Sequence, residues 1–201
     1  MTVTKTIELI FDFVSPNAYL VWQPLRAIAA RQGAQIKITP AFLGGMHKLT
    51  GNAPPFIRDA EVKGKNAYAK LEMQRFIEKH GFDRFKMNPK FPFNSVNLLR
   101  MLVSLEGDDQ IKFIDAMTPA IWEEGLDVTD AAAVAAVLTK AGFDAQSLAA
   151  KAQDPAIKQA VINNTEKAVE RGTFGIPTFY IGEEMFFGKE RLGQIEEMLE
   201  R

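Results

Sequence analysis

The sequence predicts an α/β fold in which a βαβ half and an αββα half enclose an all-helical insertion. Three observations lead there. Short apolar runs rich in Ile and Phe sit near the two ends of the chain, the long middle shows helical periodicity without a strand candidate, and the first apolar run leads at once into a Ser-Pro helix start.

Residues 7–13 (IELIFDF) form a mostly apolar run that suits a strand buried on both faces of a parallel or mixed sheet. Ser15-Pro16 then opens a helix, because serine is a favoured N-cap and proline a favoured first helical residue. Leu20, Leu25, Ile28 and Ala29 recur at near-helical spacing until Gly33 stops it, and residues 36–42 supply a second strand, completing a βαβ unit. From residue 44 to about 142 the pattern is helical, with pieces at 57–79, 95–106 and 111–124, and one from Thr129 or Asp130 to Lys140 that stops at Gly142. Asp154-Pro155 caps a further helix that runs to Arg171 and ends at Gly172. The β signal returns at 177–181 (PTFYI) and 185–187, either side of a Gly182-Glu-Glu turn. Leu192, Ile195 and Leu199 give the last segment an amphipathic helical stripe. The expected division is a sheet-bearing domain made of 1–43 and 172–201 with part of 154–171, and an inserted helical subdomain over 44–153.

Composition removes whole classes of function. With 201 residues, 47% of them hydrophobic, the chain can bury a normal core. A net charge of -1 and the lack of any Lys/Arg run give no field for a nucleic-acid backbone, so no nucleic-acid partner is expected. No stretch is long and apolar enough to cross a bilayer, and the opening residues read as neither a secretory leader nor a transit sequence, which predicts a cytoplasmic protein without membrane association. With no cysteine, the chain has no disulfide, no thiolate metal site and no thiol nucleophile of its own. His47 and His80 stand far apart without a carboxylate at ligand spacing, so no metal is assigned.

Three local patterns carry the chemistry. The first is Phe11-Asp-Phe-Val-Ser15-Pro16-Asn17-Ala18, in which Ser15 caps a helix start. The second is Phe174-Gly-Ile176-Pro177-Thr178, a tight loop with a proline at the head of a strand, where the residues alone suit an ordinary trans turn, only about 5–6% of X-Pro bonds being cis. The third is Phe187-Gly188-Lys189-Glu190-Arg191-Leu192, a turn whose amides open the last helix. Each alone is ordinary capping or turn chemistry. In this order, with Met46-His-Lys48-x-x-Gly51-Asn52-x-Pro-Pro between them, they resemble the 2-hydroxychromene-2-carboxylate isomerase and kappa-class glutathione transferase family, a DsbA-like branch of the thioredoxin-like fold. The resemblance covers nearly the whole chain. Ser15-Pro16-Asn17-Ala18 stands where disulfide oxidoreductases of that fold carry Cys-x-x-Cys.

The resemblance implies an enzyme that uses glutathione, with Ser15 as its catalytic residue. Free thiols titrate near 8.5, and lowering that by two units takes roughly 2.7 kcal/mol of preferential interaction with the anion. A serine hydroxyl and a helix N-terminus together supply that order of magnitude. Ser15 is then a donor to a borrowed thiolate, and not a covalent nucleophile, since no His or carboxylate in the neighbouring motif looks placed to act as its base. The same resemblance implies that the Ile176-Pro177 peptide is cis, and that the backbone N–H and C=O of Ile176 which this exposes pair with the cysteinyl part of glutathione. It implies further that Phe187, Gly188, Lys189, Glu190 and Arg191 hold the γ-glutamyl end, with Glu190 on the ammonium, and that Asn52 serves either glutathione or the loop. Lys48, Arg58 and Phe91 would face a small aromatic or hydrophobic electrophile. Lys189 and Glu190 depart from the small polar residue and Asp of relatives, and Ile57 and Phe91 from the Asn and Tyr of the isomerases.

The resemblance thus implies reversible addition of glutathione to an aromatic enone, with cis/trans isomerisation as the outcome, in a homodimer. Two alternatives stay open at this stage. One is a kappa-class-like transferase or peroxidase acting on hydrophobic electrophiles, and the other is a non-enzymatic thioredoxin-like module that binds peptides along the Ile176 edge.

Overall fold

The computed structural model describes residues 5–201, so the first four residues of the expected 1–43 segment lie outside the described residues. The expected α/β architecture is present: a four-stranded mixed sheet, in the order β2-β1-β3-β4, with ten α-helices among the described residues.

β1 (Thr6–Phe11) is an inner strand with Ile7, Leu9, Ile10 and Phe11 all buried. β2 (Gln35–Pro40) runs parallel to it, from Thr6 opposite Gln35 to Phe11 opposite Pro40. β3 (Thr178–Ile181) lies antiparallel on its other side with Leu9 opposite Phe179, and β4 (Glu184–Phe187) folds back on β3 as a hairpin. The crossover between the parallel strands is α1 (Pro16–Gln32), which ends at Gly33 in the left-handed conformation. Its buried face includes Leu20, Trp22, Leu25 and Ile28, each contributing about 2 kcal/mol by transfer from water. α10 (Leu192–Glu200) packs on α1 and is tied to it by Arg31–Glu196 at 2.8 Å.

Between β2 and β3 run α2 (Leu43–Thr50), α3 (Pro55–Arg58), α4 (Lys65–His80), α5 (Val96–Val103), α6 (Asp108–Trp122), α7 (Ala131–Lys140), α8 (Ala145–Lys151) and α9 (Pro155–Glu170). The single helix predicted over 57–79 is broken in two, because a turn ending at Gly64 (φ 84°) separates α3 from α4. α2 and α8 had no counterpart in the sequence reading. Gly44 and Gly45 dilute the helical signal of α2, and α8 is short, with its start fixed by the Asp144 carboxylate accepting the Ser147 N–H at 2.9 Å.

α6 fixes the ground under the first loop. Asp115 accepts from Trp22 Nε1 at 2.7 Å and pairs with Arg26 at 2.8 Å, locking α6 to α1. At the far end Trp122, fully buried, donates its indole N–H to the Phe13 carbonyl at 3.1 Å. Rings of Phe85, Phe91 and Phe93 surround it at 5.8–6.1 Å. The β1–α1 loop that carries Ser15 therefore rests on a rigid aromatic base.

Candidate active site

Ser15 lies at the end of that loop, buried at 4% exposure. Its Oγ accepts the Ala18 N–H at 3.3 Å as the N-cap of α1 and donates to the Ile176 carbonyl at 2.9 Å. Two segments 161 residues apart in sequence thus meet at one hydroxyl. The Ile176-Pro177 peptide is cis, as the family resemblance implies, and so is Phe91-Pro92, for which there was no expectation. The expectation that Ile176 leaves its carbonyl free is modified, since Ser15 occupies one side of it. A carbonyl oxygen has a second lone pair for another donor.

The loop before Ser15 contains a residue that sequence reasoning quoted without giving it a role. Asp12 is completely buried, and its carboxylate accepts the Val14 N–H at 3.2 Å and the Leu43 N–H at 2.8 Å. Burial pushes this carboxyl up to about 6 in spite of those bonds. Ser95 Oγ, also fully buried, lies alongside the carboxylate without closing a well-formed hydrogen bond. With its oxygens turned to backbone amides, Asp12 shapes the loop, and it is no base for Ser15. In the first turn of α1, Asn17 Oδ1 is buried with no donor. A hydroxyl at a helix N-terminus, with an orphaned acceptor in the same first turn, fits a thiol-bearing peptide with amide donors of its own.

The Phe187–Arg191 turn adjoins this point. Gly188 donates its N–H to the Pro177 carbonyl at 3.0 Å, and Phe187 stands opposite Thr178 in the hairpin register. Gly188 is required here by its φ of 95°, and a Cβ on Gly175 would meet the Phe187 ring at 2.7 Å, so the ring would have to shift to admit one. Lys189 departs from its expected role, because its side chain is only 6% exposed. Its ammonium pairs with Glu190 and lies 5.6 Å from the centre of the Phe76 ring on α4. Glu190, expected to face a ligand ammonium, already has a cation at its carboxylate. Arg191 is exposed, and its side chain reaches Gln194 at 3.5 Å. Two grooves flank this turn. One of about 490 Å³ is bordered by Ile28, Arg31, Phe76, Lys79, Lys189 and Glu190, and the other, of about 560 Å³, by Met185, Phe187, Arg191 and Met198.

Asn52 joins the inserted region to the Ile176 loop. Its Nδ2 donates to the Phe174 carbonyl at 2.8 Å, its Oδ1 accepts Ala53 N–H at 2.8 Å, and Arg58 Nη1 lies at 3.5 Å from the same oxygen. The Phe174 ring packs on Phe187 with centroids 4.6 Å apart. Arg58 is therefore within one side chain of the loop that holds Ile176. Phe91, half-buried, has the Phe56 ring of α3 at 5.9 Å and Trp122 at 6.0 Å. Lys48 is exposed in the last turn of α2 and makes no ion pair among the described residues. His47 beside it, half-buried, is held below its ordinary pKa by burial and by the charge of Arg58. Among the described residues no group of three or more His, Cys, Asp or Glu could hold a metal ion, and no helix is long and apolar enough to cross a membrane.

Comparison with known proteins gives a coherent set. A family model described as a DSBA-like thioredoxin domain matches residues 6–200. The 2-hydroxychromene-2-carboxylate isomerase of Pseudomonas putida is 29% identical over 199 residues, covering 97% of this chain and 94% of that protein. Glutathione S-transferase kappa 1 of Rattus norvegicus is 28% identical over 204 residues, covering 94% of this chain and 88% of the other. A solved structure of 2-hydroxychromene-2-carboxylate isomerase superposes with a TM-score of 0.81 at 27% identity, covering 98% of this chain and 95% of that one.

Proposed function

Because this chain belongs to the DSBA-like thioredoxin domain family, we propose that it is a glutathione-dependent isomerase acting on an aromatic enone, in the manner of a 2-hydroxychromene-2-carboxylate isomerase. The observation that carries the reading is the Ser15 hydroxyl, bonded to the Ile176 carbonyl at the N-terminus of α1, in a chain with no cysteine. This is a point that favours an anionic sulfur and supplies none. The isomerase and glutathione transferase relatives, matched over nearly the full chain, support the same reading.

When bound, glutathione supplies a thiol that adds reversibly to a conjugated enone, so that the double bond becomes single, rotates, and reforms on elimination with no net redox change. Ser15 turns its hydroxyl toward the sulfur and holds it as the anion, with the α1 dipole behind it. Ile176 offers its carbonyl beside Pro177, and Gly188, Glu190 and Arg191 serve the γ-glutamyl end. Asn52 holds the Phe174 backbone, acting on the loop and not on the ligand directly. Lys48 and Arg58 face the substrate carboxylate, and Phe91 and Phe56 its ring. The enzyme works as a homodimer, as the resemblance implies, and in the cytoplasm, where the glutathione pool is reduced. The domain division proposed is the sheet-bearing unit of 1–43 and 172–201, with part of 154–171, and the helical unit of 44–153.

A specific observation keeps a second reading in play. The Phe91 ring is enclosed by Phe56 and Trp122 and presents no hydroxyl, which suits a hydrophobic electrophile in a kappa-class-like transfer reaction. One assay separates the two. With glutathione present, conversion of a ring-opened hydroxychromene carboxylate to its trans isomer without glutathione consumption supports the isomerase, whereas stoichiometric conjugation of an aryl halide without isomerisation supports the transferase. No glutathione dependence in either would overturn both.

A further inference from the structure

Asp59 is a buried carboxylate to which no role has been given. Its side chain is 10% exposed, at the C-cap of α3, between two cations. Arg58 meets it through Nε and Nη2, both at 2.9 Å, and Lys65, the first residue of α4, reaches Oδ1 at 2.9 Å. The hydrogen bonds from Arg58 and then Lys65 hold the carboxyl well below the usual range, so it is an anion at neutral pH. This side-on pairing uses the Nε–Nη2 edge of the guanidinium and leaves the Nη1–Nη2 edge with protons to spare. Nη1 lies 3.5 Å from Asn52 Oδ1, a contact that takes at most one of its two protons, and the Asn52 amide in turn grips the loop before Ile176. Phe56, two residues before Arg58 and 44% exposed, stands with Phe91 as the adjoining aromatic surface.

We propose that Asp59 and Lys65 are positioning residues that make Arg58 a standing anchor for the carboxylate of an aromatic substrate. Asp59 fixes the guanidinium plane so that its free edge meets a second carboxylate, and Lys65 offsets the charge of Asp59. The cluster of two cations and one anion therefore keeps a net charge of +1 toward the ligand. Without Lys65 the pair would be neutral, and without Asp59 a flexible side chain, 46% exposed, would have to be ordered by the ligand itself. This rests on the aromatic-substrate reading above and adds the residues that set its affinity.

Orientation and bare charge give opposite signs, and this makes the idea testable by calorimetric binding of 2-naphthoate and 2-naphthamide, with no turnover required. Asp59→Asn raises the net charge of the cluster but releases the guanidinium, and the expected result is about tenfold weaker naphthoate binding with naphthamide unchanged. Tighter naphthoate binding in that variant, or equal losses for the two probes, would overturn the proposal. Lys65→Met, at a half-exposed position, should weaken naphthoate about threefold and leave naphthamide alone, so the charge balance of the proposal is tested even if Asp59→Asn fails to fold. An unchanged naphthoate affinity in Lys65→Met overturns the proposal as well. Glutathione titrated into the wild-type protein is the separate control: its failure to bind would sink the glutathione reading while leaving the anchor standing on its own result.

Discussion

The Ser15 hydroxyl donates to the Ile176 carbonyl across 2.9 Å while accepting the Ala18 N–H, so one proton links the start of α1 to the residue before cis Pro177. To hold a thiolate, the hydroxyl would turn about its Cβ–Oγ bond and redirect that hydrogen bond to the sulfur, keeping its proton, and the carbonyl would become free for a ligand amide. Ser15→Ala removes the donor altogether. Turnover with glutathione should fall by a factor of about 10² or more, the scale of losing one preorganised donor. Thiolate absorbance of bound glutathione near neutral pH should fall with it. Loss of the cap and of the Ile176 bond should cost roughly 1–2 kcal/mol of stability. A variant with full thiolate absorbance would contradict the assignment.

Asp12 gives the second prediction, in stability against pH. Its folded pKa is raised from 3.8 to about 6 by burial, so the folded state keeps its proton where the unfolded chain has lost it. The stability from this group is fully present below about 3.8 and declines as pH rises through about 6. The decline amounts to about 3 kcal/mol over that interval. Asp12→Asn, which cannot titrate, should lack it. Thermal unfolding of both proteins between pH 4 and 7 measures the difference, and parallel curves would remove Asp12 as the cause.

What the sequence made legible follows from what each signal encodes. Ser15-Pro16 and Gly33 specify a helix through local capping, and the structure has that helix between those residues. Phe174-Gly-Ile176-Pro177 fixes a loop locally as well. Residues 57–79 misled because apolar residues continue across a turn, and the periodicity does not register that Asp59 turns inward to two cations before α4 starts at Lys65. The placement of Lys189 was illegible for a related reason. A lysine in a turn reads as solvated, and its burial under Phe76 depends on α4 lying over the start of α10, a contact between segments more than 100 residues apart. Asp12 stood in plain view in the quoted motif, yet the amide of Leu43 that it accepts belongs to α2, a helix its glycines concealed.

In the proposed reading Arg58 and Lys48 face the substrate carboxylate. Arg58→Met and Lys48→Met should each raise KM for a carboxylated aromatic by about 10- to 10²-fold, the scale of one hydrogen bond to a charged group, with little effect on a neutral electrophile. Equal losses on both substrates would refute the carboxylate role.

His47 reports the same field without any assay of turnover. Burial, and after it the charge of Arg58, lowers its pKa below 6.5. Arg58→Met should therefore raise the His47 titration midpoint in an NMR experiment, although burial keeps it below the ordinary value. Since the folded pKa is depressed, His47 contributes stability above about 6.5 that is lost as pH falls through the folded value, and that loss should shrink in the variant. No movement of the midpoint would mean that Arg58 does not act on this surface.

Glu190 and Lys189 give the last prediction, because the pairing of these two side chains sets charge recognition against stability. Lys189 is nearly enclosed beneath Phe76, with Glu190 at its ammonium, whereas the Glu190 side chain is 46% exposed. Glu190→Gln would leave an enclosed ammonium without its counter-ion, and should lower stability by about 1–2 kcal/mol after allowing for the exposure of Glu190. It should also weaken glutathione about tenfold or more if Glu190 receives the ligand ammonium. Lys189→Met keeps an apolar stem under Phe76 and frees Glu190 entirely, so stability should hold and glutathione should bind a few-fold tighter. The double variant separates the two effects: with both charges gone, stability should recover to near wild type while the glutathione loss remains. Calorimetry and thermal unfolding on the four proteins read both quantities. Recovery of glutathione binding in the double variant would show that Glu190 serves only to neutralise Lys189, and its place in the γ-glutamyl site would fall.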